Sequence, residues 1–101
     1  MGVDLYWRDE RGTDLGQVLD PQMLFSSYVQ SSVWSKTSCL RFIDPYGNTV
    51  FNPSQIPVLV RELESGVAAA DSGIQQQISK VLHLLKKAKG QTHTYAWFIG
   101  D

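Results

Sequence analysis

The sequence predicts one α+β domain: a mainly antiparallel sheet of about five strands, with two main helices packed on one face. Three observations carry this. Residues 40–53, Leu-Arg-Phe-Ile-Asp-Pro-Tyr-Gly-Asn-Thr-Val-Phe-Asn-Pro, hold a strand, a tight turn, a returning strand and a helix start in one run. Two apolar stripes of helical spacing follow, at 56–67 and 74–85. Segments of period-two alternation stand near both ends of the chain. Strands grouped early and helices grouped later suit α+β layers rather than alternating βαβ units.

Each element has its own signal. Val3, Leu5 and Trp7 alternate with Asp4, Tyr6 and Arg8, so 3–8 is a strand. Asp9-Glu-Arg-Gly12 turns the chain, and 13–19 returns with Leu15 inward and Gly16 as a weak point or a bulge. Asp20-Pro21 has the form of a helix start, with Asp as N-cap and Pro in the first helical position. Met23, Leu24, Phe25, Tyr28 and Val29 then suit one short helix. The serine-rich stretch 30–38, with Trp34 in its middle, reads as a surface loop.

A strand over 37–43, turn chemistry at 44–48 and a short strand at 49–51 come next. Asn52 or Ser54 caps the first main helix, whose apolar stripe is Ile56, Leu59, Val60, Leu63 and Val67. Pro57 is tolerated there because first-turn amides lack intrahelical partners. After a link at 66–70, Asp71 or Ser72 caps the second helix, which buries Ile74, Ile78, Val81, Leu82 and Leu85. Lys86, Lys87 and Lys89 suit its C-terminal dipole, and Gly90 ends it. The last strand, 92–99, is apolar on both faces, with His93, Tyr95, Trp97 and Ile99 on one and Thr94, Ala96 and Phe98 on the other. That marks it as central. Trp7 and Trp97, being in strands, are expected in the core.

The bulk properties narrow the function. With 101 residues there is room for a single domain, 1–101, around one core. A net charge of −1 argues against a nucleic-acid-binding domain, which is ordinarily basic. The single cysteine, Cys39, allows neither an internal disulfide nor a Cys-rich zinc site. No apolar run is long enough to span a bilayer, and the N-terminus lacks a signal-peptide pattern. The expectation is a soluble, cytoplasmic protein with no membrane contact. No phosphate-binding glycine loop, His-Glu-x-x-His, Gly-x-Ser-x-Gly or Cys-x-x-Cys motif is present, so no metal or cofactor is expected and an enzyme is disfavoured.

Several residues are candidates for chemistry or binding. His93 and Tyr95 share a strand face, and Asp4 from a neighbouring strand would complete an acid–base group. The plainer account is a half-exposed histidine at a strand start. Lys80, His83 and Lys87, with Lys86 beside them, form a basic ridge on the second helix. It is either an anion-binding or nucleic-acid surface or a solvated face. Cys39 lies inside an expected strand; a catalytic thiol needs a nearby base or a helix N-terminus, and a buried structural thiol is the commoner case. Trp34 stands in a polar loop, as an interface anchor or as a cap on the core. Asp44 and Tyr46 lie on a turn that presents them for binding or is explained by turn chemistry alone.

Three stretches, Met1–Asp9, Ile43-Asp-Pro-Tyr-Gly-Asn-Thr-Val-Phe-Asn52 and His93-Thr-Tyr-Ala-Trp-Phe-Ile-Gly-Asp101, resemble small uncharacterised single-domain bacterial proteins. The resemblance implies a bacterial source and a complete chain, and carries over no catalytic residue. The leading expectation is a non-catalytic protein-binding module, in the manner of immunity proteins, with another protein as partner. The alternatives are a small-molecule site or minor enzyme at His93, Tyr95 and Asp4, and nucleic-acid contact through Lys80, His83, Lys86 and Lys87. An unpaired edge strand would also allow a homodimer.

Overall fold

The computed structural model describes residues 2–31 and 36–100. The elements are β1 (Asp4–Asp9), β2 (Asp14–Val18), α1 (Leu24–Val29), β3 (Asn48–Phe51), α2 (Ile56–Gly66), α3 (Ser72–Ala88) and β4 (Thr94–Ile99). Short 3-10 turns lie at Leu40–Phe42 and Val67–Ala69. The strands run β2-β1-β4-β3, and every pairing is antiparallel. The fold is α+β, with four strands rather than about five.

The strand expected at 37–43 is absent, and the cause is Glu62. Its carboxylate reaches from α2 and accepts the backbone N–H groups of Ser38, Cys39 and Leu40. Amides held by a carboxylate cannot serve a strand ladder, and the chain curls into a 3-10 turn. Burial follows the turn: Leu40 and Ile43 are buried while Arg41 and Phe42 between them are exposed.

The helices cover one face of the sheet. Leu5, Phe51, Ala96 and Phe98 point into a core built with Phe25 of α1, Ile56, Leu59 and Leu63 of α2, and Ile78, Val81 and Leu85 of α3. Phe25 stacks on Phe98 at 5.7 Å, and Phe51 meets Phe98 edge-on at 5.8 Å. Trp7 is partly buried against this core, as expected. The register of β1 on β2 slips between Trp7 and Arg8, leaving Leu15 as the extra residue of a bulge. Leu15 is therefore exposed rather than inward. A Cβ on Gly16 beside it would lie 2.6 Å from Leu84 Cδ1, so any larger residue there must push the Leu84 side chain aside.

Asp20 does the work expected of a cap, from a different place. The helix begins at Leu24, after Met23 in the left-handed region at φ 57, so Pro21 lies outside it. Asp20 is only 2% exposed. It accepts N–H from Phe25 at 3.0 Å, Ser26 at 2.9 Å and Val3 at 3.0 Å. The first two are orphan donors of α1, and the third ties the chain start to the same carboxylate.

The main helices start conventionally. Asn52 accepts N–H from Gln55 at 3.1 Å, while Gln55 Oε1 accepts the N–H of Asn52 at 3.0 Å. This is a reciprocal capping box placed one turn ahead of α2. Asp71 caps α3 by accepting the Ile74 N–H at 3.0 Å, and Gly90 at φ 84 follows its end.

Candidate binding face

The second face of the sheet carries side chains that take no part in the core. Antiparallel register and period-two alternation fix which ones. Tyr6 of β1 pairs with Gln17 of β2 and with Trp97 of β4, and Trp97 pairs with Val50 of β3. One row thus crosses all four strands as Gln17, Tyr6, Trp97, Val50. On one side of it lies Asp14, Arg8, Tyr95, and on the other Asp4, Ile99, Asn48. Trp97 was expected in the core and instead stands half-buried on this open face. β4 is central as expected, but only its Thr94, Ala96, Phe98 side is packed beneath helices.

Arg8 organises the rings. Its guanidinium lies 4.7 Å from the centre of Tyr6 and 5.3 Å from that of Trp97. Its Nε donates to the Asp14 carboxylate at 2.6 Å. The result is an aromatic–guanidinium stack that stays partly accessible to solvent. Two more rings flank β3: Phe42 is 67% and Tyr46 71% exposed.

The candidate acid–base group is not assembled. Asp4 pairs with Ile99, at the opposite end of β4 from His93. Six residue steps of extended chain, about 20 Å, separate Ile99 from His93. The Asp4 carboxylate accepts the Asp20 N–H at 2.7 Å. His93 precedes β4, takes φ 60, and its Nδ1 lies 3.3 Å from Glu10 Oε2, with three-quarters of the side chain in solvent. Tyr95 belongs to the open face, beside Arg8.

Asp44 spends its carboxylate on the turn, accepting the Tyr46 N–H at 2.8 Å, which leaves the Tyr46 ring as the exposed feature of that loop. Trp34 lies outside the described residues. Lys80, His83 and Lys87 are exposed along α3, as expected, whereas Lys86 turns aside to Glu64 at 3.1 Å. Cys39 is a buried free thiol, and burial, then the Glu62 carboxylate, push its pKa up. Such a thiol is a poor nucleophile. Among the described residues no cluster of His, Cys, Asp or Glu suits a metal ion, and no helix is long and apolar enough to cross a membrane.

The sequence already held the signal for the open face. Tyr6 and Arg8 share one side of the first strand, and Tyr95, Trp97 and Ile99 one side of the last. Reading β4 as apolar on both sides hid the fact that one side is aromatic. No protein-family model matches the chain, and no curated protein or solved structure does.

Proposed function

We propose that this protein is a non-catalytic, cytoplasmic protein-binding module whose contact surface is the open sheet face. The observation that carries the reading is the stack of Arg8 on Tyr6 and Trp97, away from the core. Tryptophan, tyrosine and arginine are the side chains that concentrate binding energy in protein interfaces. Rings already held by a guanidinium lose little freedom on binding, which favours affinity.

The face is about 15 Å across four strands. A standard interface needs about 800 Å² from each partner. A partner therefore reaches beyond the four strands, and the exposed rings of Tyr46 and Phe42, in the segment before β3, are the nearest further apolar surface in sequence. The partner is another protein that brings apolar groups to the rings and hydrogen-bond acceptors to the rim. A role like that of immunity proteins, bacterial neutralisers of a toxin, fits the size and near-neutral charge by analogy.

The test is a quantitative pull-down from the cells that encode the protein, run with wild type and with Trp97→Ala. The reading expects one stoichiometric partner, lost with the variant. Equal recovery by both proteins, or no stoichiometric partner, contradicts it.

A further inference from the structure

A second surface lies at the edge of the sheet and uses none of the rings just described. Among the described residues β2 pairs only with β1, so its outer edge has no strand partner there. Every second residue of an edge strand turns its N–H and C=O outward. Between that edge and α3 runs an open groove of about 930 Å³. Its apolar lining includes Leu15 and Leu19, which are 44% and 48% exposed. Its far wall carries Lys80, His83 and Lys87, one ridge of α3 about 10 Å long.

The charge of the groove selects its occupant. The chain as a whole has net charge −1, yet among the described residues the only acidic side chain lining the groove is Asp20. Asp20 is buried, and its oxygens are taken by the amides of Val3, Phe25 and Ser26. Lys80 and Lys87 therefore face the groove without a local counter-charge on its walls. Among the described residues no aromatic side chain lines it, so they offer no stacking platform for bases. What it offers is an unpaired backbone edge, exposed leucines and a cationic wall.

We propose that the groove between β2 and α3 binds an extended acidic peptide segment of another protein by strand addition. The peptide backbone pairs with the free edge of β2. Its apolar side chains lie against Leu15 and Leu19, and its carboxylates face Lys80 and Lys87. Backbone pairing gives the affinity, and alternate side chains give the selectivity. The Leu15 bulge lies on the same strand; bulged edges discourage indiscriminate sheet pairing.

The test uses the full chain and a fluorescently labelled peptide of alternating Glu and Val, read by anisotropy at low salt. Three controls accompany it: a Lys–Val peptide, the Glu–Val peptide N-methylated at alternate residues, and unlabelled oligo-dT as competitor. The proposal expects the Glu–Val peptide to bind and the Lys–Val peptide not to. It expects N-methylation to weaken binding about tenfold or more, and Lys80→Glu with Lys87→Glu to weaken it about tenfold or more. Both lysines are exposed on the helix, so a single cooperative urea transition confirms that the double variant is folded, with a midpoint lowered only by the small dipole cost of Lys87→Glu.

Absence of Glu–Val binding overturns the proposal. Equal binding of the methylated peptide overturns strand addition, and efficient competition by oligo-dT reassigns the groove to polyanions. Self-association of the free protein through β2, seen by sedimentation, would instead assign the edge to a second copy. Trp97→Ala leaves peptide binding intact, so failure here and failure of the open-face reading are separable.

Discussion

Tyr6 and Trp97 face each other across β1 and β4, and the Arg8 guanidinium lies over both rings. The stack sits on the side of the sheet that no core residue shares. Cation–π contacts of this kind contribute about 0.5–2 kcal/mol each. That holds the rings in place while leaving surface to offer a partner.

Trp97→Ala separates binding from stability. The ring is half-buried and outside the core cluster, so the loss of folding stability is about 1–2 kcal/mol, below the cost of a core aromatic truncation. Partner affinity falls by about 2 kcal/mol or more, the scale of an interface hot spot. Urea unfolding and calorimetric titration of the purified pair measure the two effects.

Asp20→Ala is strongly destabilising. It strands the amides of Val3, Phe25 and Ser26 inside the protein. The expected loss is about 3 kcal/mol or more, since each unsatisfied buried donor costs about 1–3 kcal/mol. Asp20→Asn, which keeps one acceptor, loses less. Urea midpoints of both variants check the order.

Glu62→Gln loosens the loop that the sequence presents as a strand. An amide oxygen replaces only part of the carboxylate that holds Ser38, Cys39 and Leu40, and its NH2 cannot accept. The expected loss is about 1–3 kcal/mol. The readout is hydrogen exchange at those three amides that is faster under native conditions through local opening, while α3 amides accelerate no more than the global loss requires.

Stability falls at alkaline pH. Burial, and next the Glu62 carboxylate, raise the pKa of both Cys39 and Tyr28. These groups are neutral when protonated, so the native state keeps its protons where the unfolded chain has lost them. Their contribution is complete below the unfolded values, about 8.5 for the thiol and about 10 for the phenol, and is lost as pH rises through the folded values. Urea midpoints therefore decline above about pH 8.5. Cys39→Ala removes the first part of that decline.

Gly100→Ala breaks the contact between the end of β4 and the turn before β3. Gly100 donates its N–H to Gly47 at 2.8 Å, and a Cβ on it would run into the Pro45 carbonyl. Backbone cannot yield as a flexible side chain can, so the expected loss is about 2 kcal/mol or more. A thermal melt of the variant measures it.

What was legible in the sequence was the local chemistry. The stripes of α2 and α3, the Asp71 cap, Gly90 and the alternation of β1 and β4 each follow from residue spacing over a few turns or pairs. The failures share a cause, which is distance along the chain. Residues 37–43 look like a strand until Glu62, more than twenty positions on, takes their amides. Asp4 and His93 look like partners until the register puts them at opposite ends of β4. Tyr6 and Trp97 are legible as members of two faces, but only strand pairing joins them into one.

The most direct test of the open-face reading is site-specific photocrosslinking. A benzophenone amino acid replaces Val50, which shares a row with Trp97 and is 42% exposed, and a control places it at the exposed Glu64 on α2. The account predicts one crosslinked protein of defined mass from position 50 alone, abolished by Trp97→Ala. No product at position 50, or the same product from both positions regardless of Trp97, would contradict it.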